Sequence, residues 1–225
     1  MLLRLALASL RARWITVGLT IFAIALSVGL YLGVEKVRQG ARTSFADTIS
    51  NTDLIVGARS GSVELLLYSV FRIGAATNNM SWETYREIEA REDVAWMVPI
   101  SLGDSHRQFR VMGTSGAFFT RYQFRGGQSL RFAEGAPFDD LFDAVIGWDV
   151  ARDLGYRLGD EIIISHGIGS FTAHGDKPFR IAGILAKSGT PVDRTVLVSL
   201  EGIEAIHVDW ARGARFGPPV TAEEA

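Results

Sequence analysis

Four histidines, His106, His166, His174 and His207, are the side chains in this sequence best placed to move protons or hold a metal near neutral pH. Their spacing matches no metal-protease motif, since no H-E-x-x-H occurs. His166 and His174 flank a Gly-rich turn across which two strands could bring them together, and the set otherwise reads as polar loop residues. Glu134, Asp139, Asp140 and Asp143 form an acidic patch that could attract a cation or supply an acid/base pair; the same composition suits a solvated loop and a helix start. Gly113-Thr114-Ser115-Gly116 lacks the spacing of a nucleophile elbow. Gly167-Ile168-Gly169 begins like a phosphate-binding loop without its third spaced glycine, which a flexible hairpin explains as well. No G-x-x-x-x-G-K-[ST] is present, so ATP is not bound here through a Walker A loop, and any ATPase must be a separate subunit. The absence of cysteine removes disulfides, thiol catalysis and Cys-based zinc sites. These residues predict a chain that is not an enzyme, with no catalytic residue, no cofactor and no metal site.

The element that positions everything else lies near the N-terminus. Trp14 to Val34 is a run of 21 residues without a charge, between Arg13 and Glu35. As a helix it would reach about 31 Å, against a hydrocarbon core of about 30 Å, so it predicts a membrane span. A cleaved signal peptide has an apolar core of only about 7–15 residues, and no small-x-small site follows this run. Within it Ala25, Gly29 and Gly33 recur every four residues, offering a narrow face for helix packing in the membrane. Before it, residues 1–13 place Leu3, Leu7 and Leu10 on one stripe and Arg4 and Arg11 on another, the pattern of an amphipathic segment on the membrane surface or of a frayed flank. Beyond it, Val34, Val37, Ala41, Phe45 and Thr48 keep a helical period, predicting a stalk over 35–51. Arg4, Arg11 and Arg13 balance Lys36, Arg38 and Arg42, so positive charge does not decide orientation.

After the anchor about 190 residues remain, enough for one domain or two small lobes. The net charge of −2 provides no basic field for nucleic acid. Residues 53–58 read as a buried strand, 63–71 as strand or helix, and Ser81 as the N-cap of a helix to about Arg91. Strands over 94–102 and 108–113 are predicted to join through a turn at Gly103-Asp104-Ser105. Phe118, Phe119, Tyr122 and Phe124 read as core. Further strands are expected over 144–147, 161–165, 179–185 and within 189–199. Short helices are expected over 149–154, closed by Gly155, and from Ser199 through Ile206. The tail 209–225 shows no periodicity. The class is α+β.

The order of a single span, a helical stalk, then AVIGWDVARDLGYRLGDEI (144–162), PFRIAGIL (178–185) and GTPVDRTVLVSLEGIEAIH (189–207) resembles the MacB/FtsX-type permeases of ABC transporters. The resemblance covers most of the chain. It implies a span at 14–34, a stalk at 35–51 and an extracytoplasmic core domain of porter- and sabre-like lobes at 52–208, with an irregular or truncated end at 209–225. It also implies location in the cell inner membrane, with a cytoplasmic N-terminus and residues after about 35 outside. The partners implied are an ABC ATPase subunit, a second permease copy, whether identical or not, and the lipid bilayer. Such permeases continue through three more spans, which are missing after Val34, so the chain reads as a fragment or a divergent remnant. The alternative is a bitopic, membrane-anchored binding or sensor module. No residue points to a cargo.

Overall fold

The computed structural model describes residues 10–74, 78–167, 175–208, 210–211 and 214–215. The first nine residues of the amphipathic segment, the Gly-rich turn with His174 and most of the tail lie outside these. The chain divides into two units, Met1–Ala46 and Asp47–Ala225.

The first unit is dominated by helix α1, Trp14–Thr48, whose 35 residues would extend about 52 Å. Its stretch Trp14–Gly40 is long and apolar enough to cross a membrane, and none of its most apolar window is buried against protein. Leu26 and Leu30 are 61% and 68% exposed. A helix that is apolar all round and uncovered is suited to lipid rather than to water. Two of its hydroxyls bond back within the helix: Thr20 Oγ1 donates to Thr16 O and Ser27 Oγ to Ala23 O, both at 2.9 Å. Past the apolar run, Arg38 pairs with Glu35 at 2.8 Å.

The second unit opens with two short helices. The apolar run that read as strand or helix is α2, Ser62–Ser69. Helix α3, Trp82–Glu89, begins where Ser81 Oγ accepts from Thr84 N at 3.2 Å, the N-cap that sequence predicts. Residues 53–58 are not a strand: no ladder partner lies beside them among the described residues, and Leu54 is 80% exposed.

An eight-stranded mixed sheet carries the rest. Its strands are β1 (Ile100–His106), β2 (Phe109–Thr114), β5 (Phe132–Gly135), β6 (Asp143–Ile146), β7 (Glu161–Ile162), β8 (Ser165–His166), β9 (Phe179–Leu185) and β10 (Thr195–Ser199). Spatial order is β5-β9-β6-β10-β2-β1-β8, with β7 also on β9. The pairs β6/β9 and β2/β10 are parallel and the other pairs antiparallel. Between these strands lie α4 (Ala117–Arg121), the hairpin β3 (Gln123–Phe124) and β4 (Gln128–Ser129), α5 (Trp148–Leu154), a 3₁₀ turn Pro191–Arg194 and α6 (Leu200–His207). A second small hairpin pairs β11 (Trp210–Ala211) with β12 (Ala214–Arg215). Gly155 ends α5 in the left-handed region at φ 71°, as a C-terminal glycine does.

The period of two in the strands sorts side chains onto two cores. Val196, Val198, Ala144, Ile146, Phe109 and Val111 face one side, with Val150 and Ile206 from the helices. Leu197, Val145 and Met112 face the other, against Phe118, Phe119 and Phe124. The aromatic run is therefore core. The predicted strand over 161–165 is split into β7 and β8, which pair with different neighbours, β9 and β1. The hairpin turn also differs: Gly103-Asp104-Ser105 sits inside β1 at an irregularity of register, and the connection is Arg107-Gln108, with Arg107 at φ 54°.

Leu197 is fully buried at the middle of β10. Leu197→Ala is expected to lower unfolding free energy by about 2–5 kcal/mol, while Ser129→Ala, on an exposed hairpin, stays within about 0.5 kcal/mol. Denaturant titration of the full chain in detergent, followed by near-UV circular dichroism, checks this; equal midpoints would contradict a two-faced core.

Candidate functional site

Two places combine chemistry with position. The first is the span. Ala25, Gly29 and Gly33 lie on exposed helix, and a Cβ built on Gly29 or Gly33 meets nothing within 4 Å. The small-residue face is open to a partner helix, and the described residues supply none.

The second is assembled by the sheet. Strand β8 pairs with β1 so that His166 lies directly opposite Asp104. Helix α6 starts where Ser199 Oγ accepts from Gly202 N at 2.9 Å and ends at His207. It rests closely on the sheet because two contact positions lack side chains. A Cβ on Gly113 would stand 2.7 Å from Ile203 Cγ1, and one on Gly202 would stand 2.6 Å from Leu141 O. That close seat carries His207 to the β1–β8 edge. His166 Nδ1 is 3.3 Å from Asp104 Oδ1 and 3.3 Å from His207 Nε2, and His207 Nε2 is 3.8 Å from Asp104 Oδ1. The two imidazole centroids are 4.6 Å apart. On its other side, His207 Nδ1 meets Ile203 O at 2.6 Å, so that nitrogen carries the proton and Nε2 presents a lone pair to the cluster.

Burial raises the pKa of Asp104, against the opposing pull of His207 and His166. Burial, then the nearness of His207, lowers that of His166, with Asp104 pulling the other way. In both groups burial works against the charged form, and the charge of the neighbouring group works for it. His106 is separate: Nδ1 meets Ile163 O at 2.7 Å and Nε2 meets Tyr156 Oη at 2.9 Å, and burial lowers its pKa. It is a core histidine.

Other motifs resolve into local structure. Asp143 is buried; its Oδ2 accepts from the backbone of Asp139 and Asp140 at 3.3 and 3.2 Å, and its Oδ1 from Arg180 at 2.8 Å. The acidic patch is thus a capped loop in which Arg180 pairs with Asp143 and, at 3.8 Å, with Asp140, rather than an acid/base pair. Thr114 Oγ1 donates to Pro99 O at 2.7 Å, and Ser115 O accepts from Phe118 N at 3.0 Å, so that motif opens α4.

The reading of scattered loop histidines is corrected for His106, His166 and His207. Asp104 was hidden because Gly, Asp and Ser are turn formers, whereas Arg107-Gln108, the connection used, has no turn signature.

A third arrangement concerns the junction at the start of the second unit. Arg125 N donates to Asp47 O at 3.0 Å, Ser50 N to Gln123 O at 2.8 Å, and Gly126 N to Ser50 Oγ at 3.1 Å. Tyr122 Oη donates to Thr48 O, and Thr48 is buried. Residues 47–50, at the start of the second unit, are therefore tied to Tyr122, β3 and the turn that follows it.

No curated protein matches this chain significantly. A family model described as the MacB-like periplasmic core domain matches residues 17–221. With a long apolar helix followed by a sheet-rich body, over nearly the whole length of that match, the chain belongs to the MacB-like periplasmic core domain family of ABC-type permeases.

Proposed function

We propose that the chain is the permease subunit of an ABC-type export or mechanotransmission system, coupling a separate ATPase to an extracytoplasmic body. The observation that carries this reading is the unbroken helix from Trp14 to Thr48, which runs from the apolar stretch to the start of the sheet-rich body within the family match. An unbroken helix transmits axial and rotational displacement along its length. In this reading 14–34 crosses the inner membrane, 35–51 is the stalk, and 52–208 is the core domain. The N-terminus is cytoplasmic and residues after about 35 are extracytoplasmic. Residues near 52–100 begin the porter lobe and the middle residues form the sabre lobe. Exposed Leu54, Val63 and Ile73 support a porter segment that further protein covers. The partners are an ABC ATPase and a second permease copy in the bilayer, with no nucleic acid, and this chain's own part is mechanical rather than catalytic.

Inserting Gly-Ser-Gly after Gly40 interrupts the helix between span and hairpin, because glycine in a helix costs about 1 kcal/mol against alanine. In the assembled transporter the variant is expected to retain ATP hydrolysis and lose at least tenfold in transport. Normal transport would remove the stalk from the mechanism. Orientation is read with Ser129→Cys, on the exposed turn strand, in a chain with no native cysteine. An impermeant thiol reagent is expected to label it in intact cells; labelling confined to lysed cells would reverse the topology.

Ala25, Gly29 and Gly33 are proposed to pack against another membrane helix. Gly29→Leu with Gly33→Leu puts bulky groups where backbones must approach closely. The double variant is expected to uncouple ATP hydrolysis from transport while the body keeps its protease resistance. Wild-type coupling would leave these glycines without a packing role.

A further inference from the structure

We propose that Asp104, His166 and His207 form a binding site for one divalent transition metal ion, with Zn²⁺ the ion their chemistry fits best.

The donor set is two imidazole nitrogens and one carboxylate oxygen, a combination that suits zinc and neighbouring first-row metals and does not suit magnesium or calcium. The separations fit as well. Zinc holds nitrogen and oxygen ligands at about 2.0–2.1 Å, which in a tetrahedron puts the ligand atoms about 3.3–3.4 Å from one another. The three edges here are 3.3, 3.3 and 3.8 Å. Two of them match the tetrahedral edge and the third needs a shift of a few tenths of an ångström. As hydrogen bonds the same separations are poor, since N–H···O bonds fall at about 2.7–3.2 Å.

Orientation points the same way. The Ile203 carbonyl holds the proton on His207 Nδ1, leaving Nε2 as the donor atom toward the cluster. A ligating histidine whose other nitrogen is anchored to a carbonyl is a usual arrangement at metal sites, because it fixes both tautomer and ring plane. The three residues come from separate elements, β1, β8 and α6, so no local turn accounts for their meeting. The Asp104 side chain is 10% exposed, while those of His166 and His207 are 29% and 28% exposed. The carboxylate is therefore deep and the imidazoles form the rim, which leaves an approach for the ion and a fourth position for water. Bound there, the ion would tie the end of α6 to the β1–β8 edge, acting as a clamp in the outer body.

The test uses the full chain in detergent, purified through a tag without histidine and stripped with chelator. Zn²⁺ is added against a chromogenic competitor, and Co²⁺ is added separately to read geometry from its visible absorption. The expected result is one Zn²⁺ per chain, a raised melting temperature, and a Co²⁺ spectrum of tetrahedral intensity. His166→Gln, His207→Gln and Asp104→Asn are each expected to weaken Zn²⁺ binding at least tenfold with unchanged far-UV circular dichroism, whereas Glu134→Gln leaves it intact. Zinc-edge X-ray absorption of the unaltered chain gives a reading that needs no variant to fold: two imidazoles in the first shell support the site. No stoichiometric binding, a first shell without imidazole, or affinity indifferent to all three substitutions would overturn it.

Discussion

Every other feature of the body depends on the burial of three adjacent strands, β6, β10 and β2, on both faces at once. Val196, Leu197 and Val198 are each fully buried, and so are Ala144, Val145 and Ile146. A strand covered on both sides cannot slip by one residue without exchanging its two cores, so register here is set by side-chain volume on both faces together. This fixes the positions of β1 and β9 on either flank. It also fixes where the connections leave the sheet: α6 from the end of β10, and the β3–β4 hairpin from the side carrying Phe118, Phe119 and Phe124.

The hairpin matters because of what it holds. Residues 47–50 contribute carbonyls, an amide and a hydroxyl to Tyr122, β3 and the turn that follows it, and Thr48 is buried. Backbone groups at a helix end otherwise go to water or to a cap. Here they are spent on the body's own aromatic core, through Tyr122, which stacks on Phe118 at 4.9 Å between ring centroids. Within the second unit, Thr48 is thus joined to packed side chains.

Local signals in the sequence were readable where the chemistry is local. Ser81 and Ser199 cap helices through their own hydroxyls within three residues, and Gly155 ends α5 by its own backbone. The apolar runs at 179–185 and 195–199 form the strands they suggest. What stayed hidden depends on partners. Residues 53–58 have the composition of a strand without a neighbour to pair with, and composition cannot supply one. At the first hairpin, Gly103-Asp104-Ser105 has the better turn residues, but register against β2 places Asp104 inside the strand. That error concealed the histidine cluster, whose members lie 62 and 41 residues apart and whose meeting needs both β8 pairing and the close seat of α6. The span was plain because one element alone determines it. The packing face of Ala25, Gly29 and Gly33 was legible as a spacing only, and its role is a proposal because packing needs a second helix.

Electrostatics gives the histidine cluster its remaining interest. Burial of Asp104 penalises its charge, and burial of His166 beside His207 penalises a compensating one. Removing a carboxylate from water costs several kcal/mol unless opposite charge and hydrogen bonds replace the lost hydration. Neutral imidazoles meet that need in part, since one Nδ1–H on His166 can serve either Asp104 or the lone pair on His207, but not both well at 3.3 Å. A divalent cation reverses the balance: it stabilises the carboxylate and uses both imidazole lone pairs at once, so the groups that oppose one another as acids and bases become cooperative as ligands. A fold that seats α6 closely on β2 and on the loop before β6, through two glycines whose missing side chains make room, and pairs β8 with β1 holds those groups in place before any ion arrives. The organisation of the site is thus supplied by the sheet, and binding has only to provide charge.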